Sequence, residues 1–414
     1  MTNQAERRPI LPVLAVVLLC GAALGQTRTV KLRVAAGEVA GTNVPVHVEM
    51  RLPAEFTGLA PDGIAVSLLE WDTSSQPIPG QLMKGSDDQV ELWWIVPHAR
   101  TDRESDWTAT LSAGHALQQG VFSWKRRSNG VLDLLLGGRA VLRYMYACDA
   151  STPERLRETY KPYHHVFDAS GRNLLTNGAG GLYPHHRGIF VGWNKLKHGE
   201  HEYDFWHMKE VTQRHQRILS RVAGPVLARS RALIHWVDPD DQPVIAEERE
   251  VTVFRQPAPT VLLLDFRTEL KAIGAGVFLN GDPEHAGVQY RAHNDVADGD
   301  ETVKATYRFH EDGIDAHTDQ DLPWAAMSYG LNGRRYSVQH MNHPDNPKPT
   351  LYSAYRDYGR FGAFFRKKLE ADEVLPLRYR ILIVDGQMPP RDELAGRYSA
   401  FVTPPRVTVV RDDP

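Results

Sequence analysis

The segment Tyr183-Pro-His-His-Arg-Gly188, followed by His201-Glu-Tyr-Asp-Phe-Trp-His207, gathers four histidines, one arginine and two acids among aromatic residues. Folding alone rarely needs that mixture, because such groups are costly to bury unless they pair. It reads as the lining of a polar pocket with an aromatic wall. Imidazoles and carboxylates there can exchange protons with a substrate. A guanidinium is shaped to hold a carboxylate, and an indole face packs on the apolar face of a pyranose.

A second group of the same kind lies in Gly287-Val-Gln-Tyr-Arg-Ala-His-Asn294. Side chains alternate across a strand. Val288, Tyr290 and Ala292 therefore suit the core, while Gln289, Arg291 and His293 form a polar row on the other face. Asp282 and Glu284 stand just before it in a turn, where carboxylates reach the same cleft. His340 and His343 either approach this pocket or fix a long loop by hydrogen bonds. The Tyr352–Arg360 stretch, rich in Tyr and Arg, suits stacking on sugars or an ordinary sheet edge.

Metal ligation is an open alternative. His185, His186, His207 and His293 are candidate ligands. Pro184 and Gly188 argue for a loop in which the first two converge. His201 and His207 share a strand face at about 20 Å, so only a bend between them brings both to one ion. No His-Glu-x-x-His helix or cysteine cluster is present, so the strong zinc signatures are missing.

These residues need a β scaffold to hold them. Val46, Val48 and Met50 alternate with His47, Glu49 and Arg51, the period of a half-buried strand, and Glu91–Val96 is strand-like. Turn signals at Pro61-Asp-Gly63, Pro77-Ile-Pro-Gly80 and Gly85-Ser-Asp-Asp88 separate short strands. Residues 26–125 are thus expected to form a small β-sandwich and residues 126–414 a larger one carrying the site. In the larger region, Val131–Tyr146 reads as a hairpin broken at Gly137-Gly138. Another hairpin turns at Gln256-Pro-Ala-Pro259. Leu377, Tyr379, Ile381 and Ile383 share one strand face. A helix is expected after Pro389-Pro390, with Leu394, Tyr398 and Phe401 as an apolar packing stripe.

Residues 1–25 read as a cleaved signal peptide: Arg7-Arg8, an apolar run, then Ala23-Leu-Gly25. This predicts a periplasmic or secreted protein with no membrane span after cleavage. Cys148 alone then remains, so no internal disulfide forms. A net charge of −3 with interspersed signs gives no footprint for nucleic acid.

At Pro184-His-His-Arg187, Asp204-Phe-Trp-His207, Gln289-Tyr-Arg-Ala-His293, Trp324-Ala-Ala-Met-Ser328, Gln339–Pro347 and Tyr355–Gly362 the chain resembles exported bacterial proteins labelled PmoA family, or methane oxygenase. The resemblance spans residues 130–402. A methane-oxidising membrane subunit needs several spans, which this chain lacks after its leader. The β-rich pattern of that family is similar to the galactose-mutarotase-like supersandwich. This implies a broad concave sheet that binds carbohydrate and uses His with Glu or Asp as acid and base.

The residues themselves then suggest His293 as general acid, with Glu284 or Asp282 as base. His185, His186 and Arg187 would bind hydroxyls or a sugar carboxylate, Trp206 would stack, and His207 and Arg291 would hold the far edge. The activity is expected to cleave or epimerise a sugar, with a carbohydrate ligand and no cofactor. A His-ligated divalent metal enzyme and a non-catalytic glycan-binding protein are the alternatives.

Overall fold

The computed structural model describes residues 26–37, 40–71, 76–114 and 120–410. The expected leader over residues 1–25, Cys20 included, lies outside the described residues. Among those described, no helix is long and apolar enough to cross a membrane.

The chain is mostly β, in large antiparallel sheets with sandwich-like packing, as expected. The amino-terminal region forms one sheet in the order Gly41–Arg51, Gln89–Ala99, Ile78–Lys84, Ile64–Glu70, Ser105–Ala113, Thr27–Val34. A last strand, Val407–Val410, returns from the far end of the sequence to pair with Thr27–Val34. Alternation places Val44, Val46, Val48 and Met50 inside with Leu92, Trp94 and Trp107.

The larger region packs two eight-stranded sheets against each other. The first runs Leu351–Tyr352, Arg360–Phe364, Ala286–Arg291, Ile189–Trp193, Tyr163–Val166, Arg139–Met145, Val131–Leu136, Phe122–Ser128. The second runs Thr212–Ala223, Leu227–Val237, Pro243–Phe254, Thr260–Ala272, Val374–Asp385, Arg334–Asn342, Trp324–Leu331, Thr306–Phe309. Both expected hairpins form. Val191, Val288, Tyr290 and Phe361 from the first sheet meet Leu264, Phe266, Leu377, Tyr379 and Ile381 from the second in one apolar core.

Several polar groups inside that core are paired. Arg249 holds Glu247 at 2.7 and 3.0 Å, and Trp236 and Thr268 donate to the same carboxylate. His340 sits fully buried against Tyr352, at 3.1 Å from its hydroxyl. His343 accepts the backbone N–H of Asp345 and packs on Phe401. Of the two readings for these histidines, the hydrogen-bonded structural one describes their surroundings. The helix Arg391–Val402 buries Leu394 and Phe401 with Tyr398 beside them, closing over the second sheet.

Trp206, from the segment after His201–Tyr203, packs on Phe190 of the first sheet and on His186. Two of its strands, Ile189–Trp193 and Ala286–Arg291, pair directly, Phe190 facing Gln289. The histidine-rich segment and the polar row are therefore neighbours on one surface.

Candidate functional site

Gly188, at φ 52°, ends the loop and starts the strand Ile189–Trp193. Any Cβ there would collide with the carbonyl of His164, so a glycine is required. This turn fixes His185, His186 and Arg187 at the edge of the outer face. After the short strand His201–Tyr203 the chain bends at Asp204, whose Oδ1 accepts the backbone N–H groups of Trp206 and His207 at 3.1 and 2.9 Å. That bend sends His207 towards His185 and leaves His201 exposed on its strand.

Two aspartate–imidazole pairs result. Asp204 Oδ2 takes the Nδ1–H of His207 at 2.9 Å. Asp282 Oδ1 takes the Nδ1–H of His285 at 2.7 Å, and its Oδ2 accepts from Asn194 at 3.1 Å. The second pair differs in one respect: the Asp282 oxygen that takes the ring N–H, Oδ1, also accepts the backbone N–H of Glu284 at 3.0 Å. An ionised carboxylate only accepts, so each neutral imidazole carries its proton on Nδ1 and leaves Nε2 free. The ring centroids of His207 and His285 are 5.1 Å apart, and His185 lies 4.5 Å from His207.

Electrostatics sharpen the arrangement. Burial pushes the Asp204 carboxyl up, but the hydrogen bonds from His207 outweigh it and hold the group down at about 2. Burial likewise pushes the Asp282 carboxyl up, and the hydrogen bond and charge of His285 outweigh it, so the group lies below the usual aspartate range. His185 is kept neutral, at about 2, first by burial and then by Lys161, His207 and His285. Burial also holds Lys161 well below the usual lysine range.

The imidazoles sit between two hollows. One of about 690 Å³ is lined by Tyr160, Pro184, His185, Arg187, His207 and Met208, among others. The other, about 330 Å³, is lined by Asp282, Glu284, His285, Ala316, His317 and Tyr355. His317 and Tyr355 stack at 3.9 Å.

Several residues occupy other positions than expected. His293 leaves the strand, which ends at Arg291, and caps the helix Asn294–Asp298 by accepting the N–H of Asp295 at 3.3 Å. It stands by His165, not in the ring of imidazoles, so the polar row stops one residue pair early. Trp206 is fully buried under His186, to which its indole N–H donates at 3.2 Å, and offers no open face for stacking. Arg187 donates to the carbonyls of Pro184, Glu158 and Arg157, tying down the end of the helix Pro153–Thr159. Glu284 is held by Arg356 and Tyr355, and Asp282 by His285, so neither is a free base. Arg291 is buried, its guanidinium 4.9 Å from the Tyr358 ring, and burial lowers it to about 10.

His285 and Lys161 belong to the neighbourhood without having been singled out, and Tyr358 and Arg360 come to it from the Tyr352–Arg360 stretch. His285 had a legible signal: Asp282-Pro-Glu-His285 repeats the Asp-x-x-His spacing of Asp204-Phe-Trp-His207. Lys161 had none, because its approach to Trp206 depends on tertiary packing. Among the described residues no group of three His, Cys, Asp or Glu is arranged to hold a metal ion.

No curated protein matches the chain. A family model described as a family of unknown function, DUF6807, matches residues 131–399 and carries neither an oxygenase nor a mutarotase label. That match takes in the second packed sheet, all of the first but Phe122–Ser128, both aspartate–imidazole pairs and the buried arginines, and the chain belongs to the DUF6807 family.

Proposed function

We propose that the chain is an exported carbohydrate-active enzyme working by general acid–base catalysis, with His207 and His285 as the proton-transferring groups. The observation that carries this is the pair of aspartate-backed imidazoles in contact at 5.1 Å, partly exposed between two hollows. An aspartate on Nδ1 orients the ring and stabilises its protonated form, leaving Nε2 to take or give a proton. The flanking Tyr183, Tyr355 and His317 offer ring edges and faces to a sugar, while Glu284 and Arg356 offer hydrogen bonds. The packed sheets fit the galactose-mutarotase-like reading, which adds only fold-level analogy for sugar binding.

The geometry favours cleavage over epimerisation. A ring held between two others needs roughly 7 Å from face to face. The His207–His285 separation is too small to admit a pyranose, so both imidazoles act from one side of the ligand. Epimerisation with a base on each face is disfavoured. Bond cleavage, in which a proton is removed or delivered on one side, fits.

The test is turnover of an oligosaccharide panel by the wild type, His207→Gln and His285→Gln. Either variant should lose 10²–10⁴-fold in rate. Unchanged turnover in both variants overturns the reading, and retained binding with no turnover by the wild type makes the protein a glycan-binding one. Metal analysis addresses the remaining alternative: stoichiometric metal lost in His185→Ala would favour a His-ligated metal enzyme.

A further inference from the structure

The described residues bury six cations: Lys161, Arg187, Arg249, Arg291, Arg360 and Arg380. Arg249 grips Glu247, and Arg380 grips Asp265 at 2.5 and 3.0 Å. Arg187 is satisfied by carbonyls at a helix end. Lys161, Arg291 and Arg360 have no carboxylate bound to them. All three lie around Trp206 and Tyr358: Lys161 and Arg360 are 5.9 and 5.7 Å from the Trp206 ring, and Arg291 is 4.9 Å from the Tyr358 ring.

Register makes the charge problem worse. Arg291 and Arg360 are directly opposite on neighbouring strands, an arrangement that like charges destabilise. Arg360 donates only to neutral oxygens, those of Tyr358, Gln289 and Ser353. Arg291 donates from Nη1 to the carbonyls of Ala292 and Tyr358, while its Nε and Nη2 have no partner. His186 accepts the Trp206 indole N–H on Nε2, so its own proton sits on Nδ1, which also has no partner. Every one of these orphaned atoms is a donor. Leaving a buried donor unpaired is destabilising, more so when it is charged. What the cluster lacks is an acceptor, and two adjacent guanidiniums call for an anionic one.

We propose that Arg291, Arg360 and His186 form an anion subsite for the carboxylate of a uronic acid unit, beside the acid–base imidazoles. This rests on the carbohydrate reading above and names its substrate class. Tyr358 is the plug. It is 9% exposed, its hydroxyl accepts from Arg360 at 3.1 Å, and its ring lies against those of His186 and Tyr183 at 6.2 and 5.2 Å. It sits in the turn 353–359, which ends at Gly359 with φ 80°. A bound carboxylate takes the place of the phenol oxygen on Arg360 and fills the free N–H groups of Arg291. Neutral sugars reach the imidazoles but leave those donors empty.

The experiment is a calorimetric and thermal-shift titration of the full chain with glucuronate, galacturonate, glucose, galactose and sodium sulfate at constant ionic strength. Uronates should bind at least tenfold more tightly than the matching hexoses. Arg291→Met should abolish that preference and leave the ligand-free melting temperature unchanged or higher, since it removes an unsatisfied buried cation. Tyr358→Ala should tighten uronate binding, which keeps the test open if Arg291→Met fails to fold. Hexoses binding as tightly as uronates would overturn the subsite and leave the acid–base reading standing. Sulfate binding that needs Arg291, with no response to any sugar, would support the anion subsite and overturn the carbohydrate reading. Absence of binding in every arm, or an Arg291→Met protein that melts lower and keeps the uronate preference, overturns the subsite.

Discussion

Asp204→Asn isolates what one carboxylate does for the imidazole behind which it stands. Bringing the Asp204 carboxyl from 3.8 to about 2 corresponds to roughly 2.5 kcal/mol in favour of the charged form. Its side chain is only 14% exposed, so solvent screens this little. The sign is that of a lowered acid: the contribution is complete above the unfolded value near 4 and disappears as pH falls through about 2. The new amide can still accept the N–H groups of Trp206 and His207 through its oxygen, which retains part of the turn. The expected loss at pH 7 is therefore about 1–2 kcal/mol, measured by urea unfolding. With the oxygen so engaged, the amide NH₂ faces Nδ1 of His207. A donor there forces the imidazole proton onto Nε2, reversing the tautomer. Long-range ¹H–¹⁵N spectra of the ring nitrogens should show Nδ1–H in the wild type and Nε2–H in the variant, with turnover reduced. An unchanged tautomer together with unchanged stability would refute the dyad as described.

Three other expectations follow from the same reasoning. Asp282→Asn should leave the His285 tautomer in place, because Oδ1 takes both the ring N–H and the Glu284 N–H and so stays an oxygen, with a smaller stability loss than Asp204→Asn, because the Asp282 side chain is 41% exposed and screened by solvent; equal or larger loss would contradict this. Burial holds His165 at about 4 and His340 at about 3, so both stay neutral in the fold but take up protons when unfolded below about 6.5. Stability should fall by about 4 kcal/mol between pH 7.5 and 5 from these two groups, and a flat profile by denaturant titration would count against their burial as neutral rings. Glu247→Gln leaves Arg249 buried without its counter-charge and should cost about 3–5 kcal/mol, checked by thermal unfolding at pH 7; a loss below about 1 kcal/mol would mean that the pair is hydrated.

Local patterns were legible where the physics is local. The hairpin at Gly137-Gly138, the turn at Gln256–Pro259 and the helix after Pro390 follow from turn chemistry and periodicity, and each forms. The bend at Asp204 was legible only as a condition: His201 and His207 could share an ion only if the chain turned between them, and the turn that Asp204 makes carries His207 to His185 and leaves His201 exposed. His293 shows the limit. Alternation put it on the polar face with Arg291, yet the strand ends before it and the imidazole becomes a helix cap. Trp206 shows another: an aromatic ring beside histidines can serve as a wall or a floor, and only the packing above it decides which.

From the residues alone came a β-rich chain and its local turns, since turn geometry and side-chain alternation depend on neighbours in sequence. Strand register decided the rest. It set Arg291 opposite Arg360 and brought His285 to His207. Those partners lie far apart along the chain, and no periodicity in either segment encodes which strand will lie beside which.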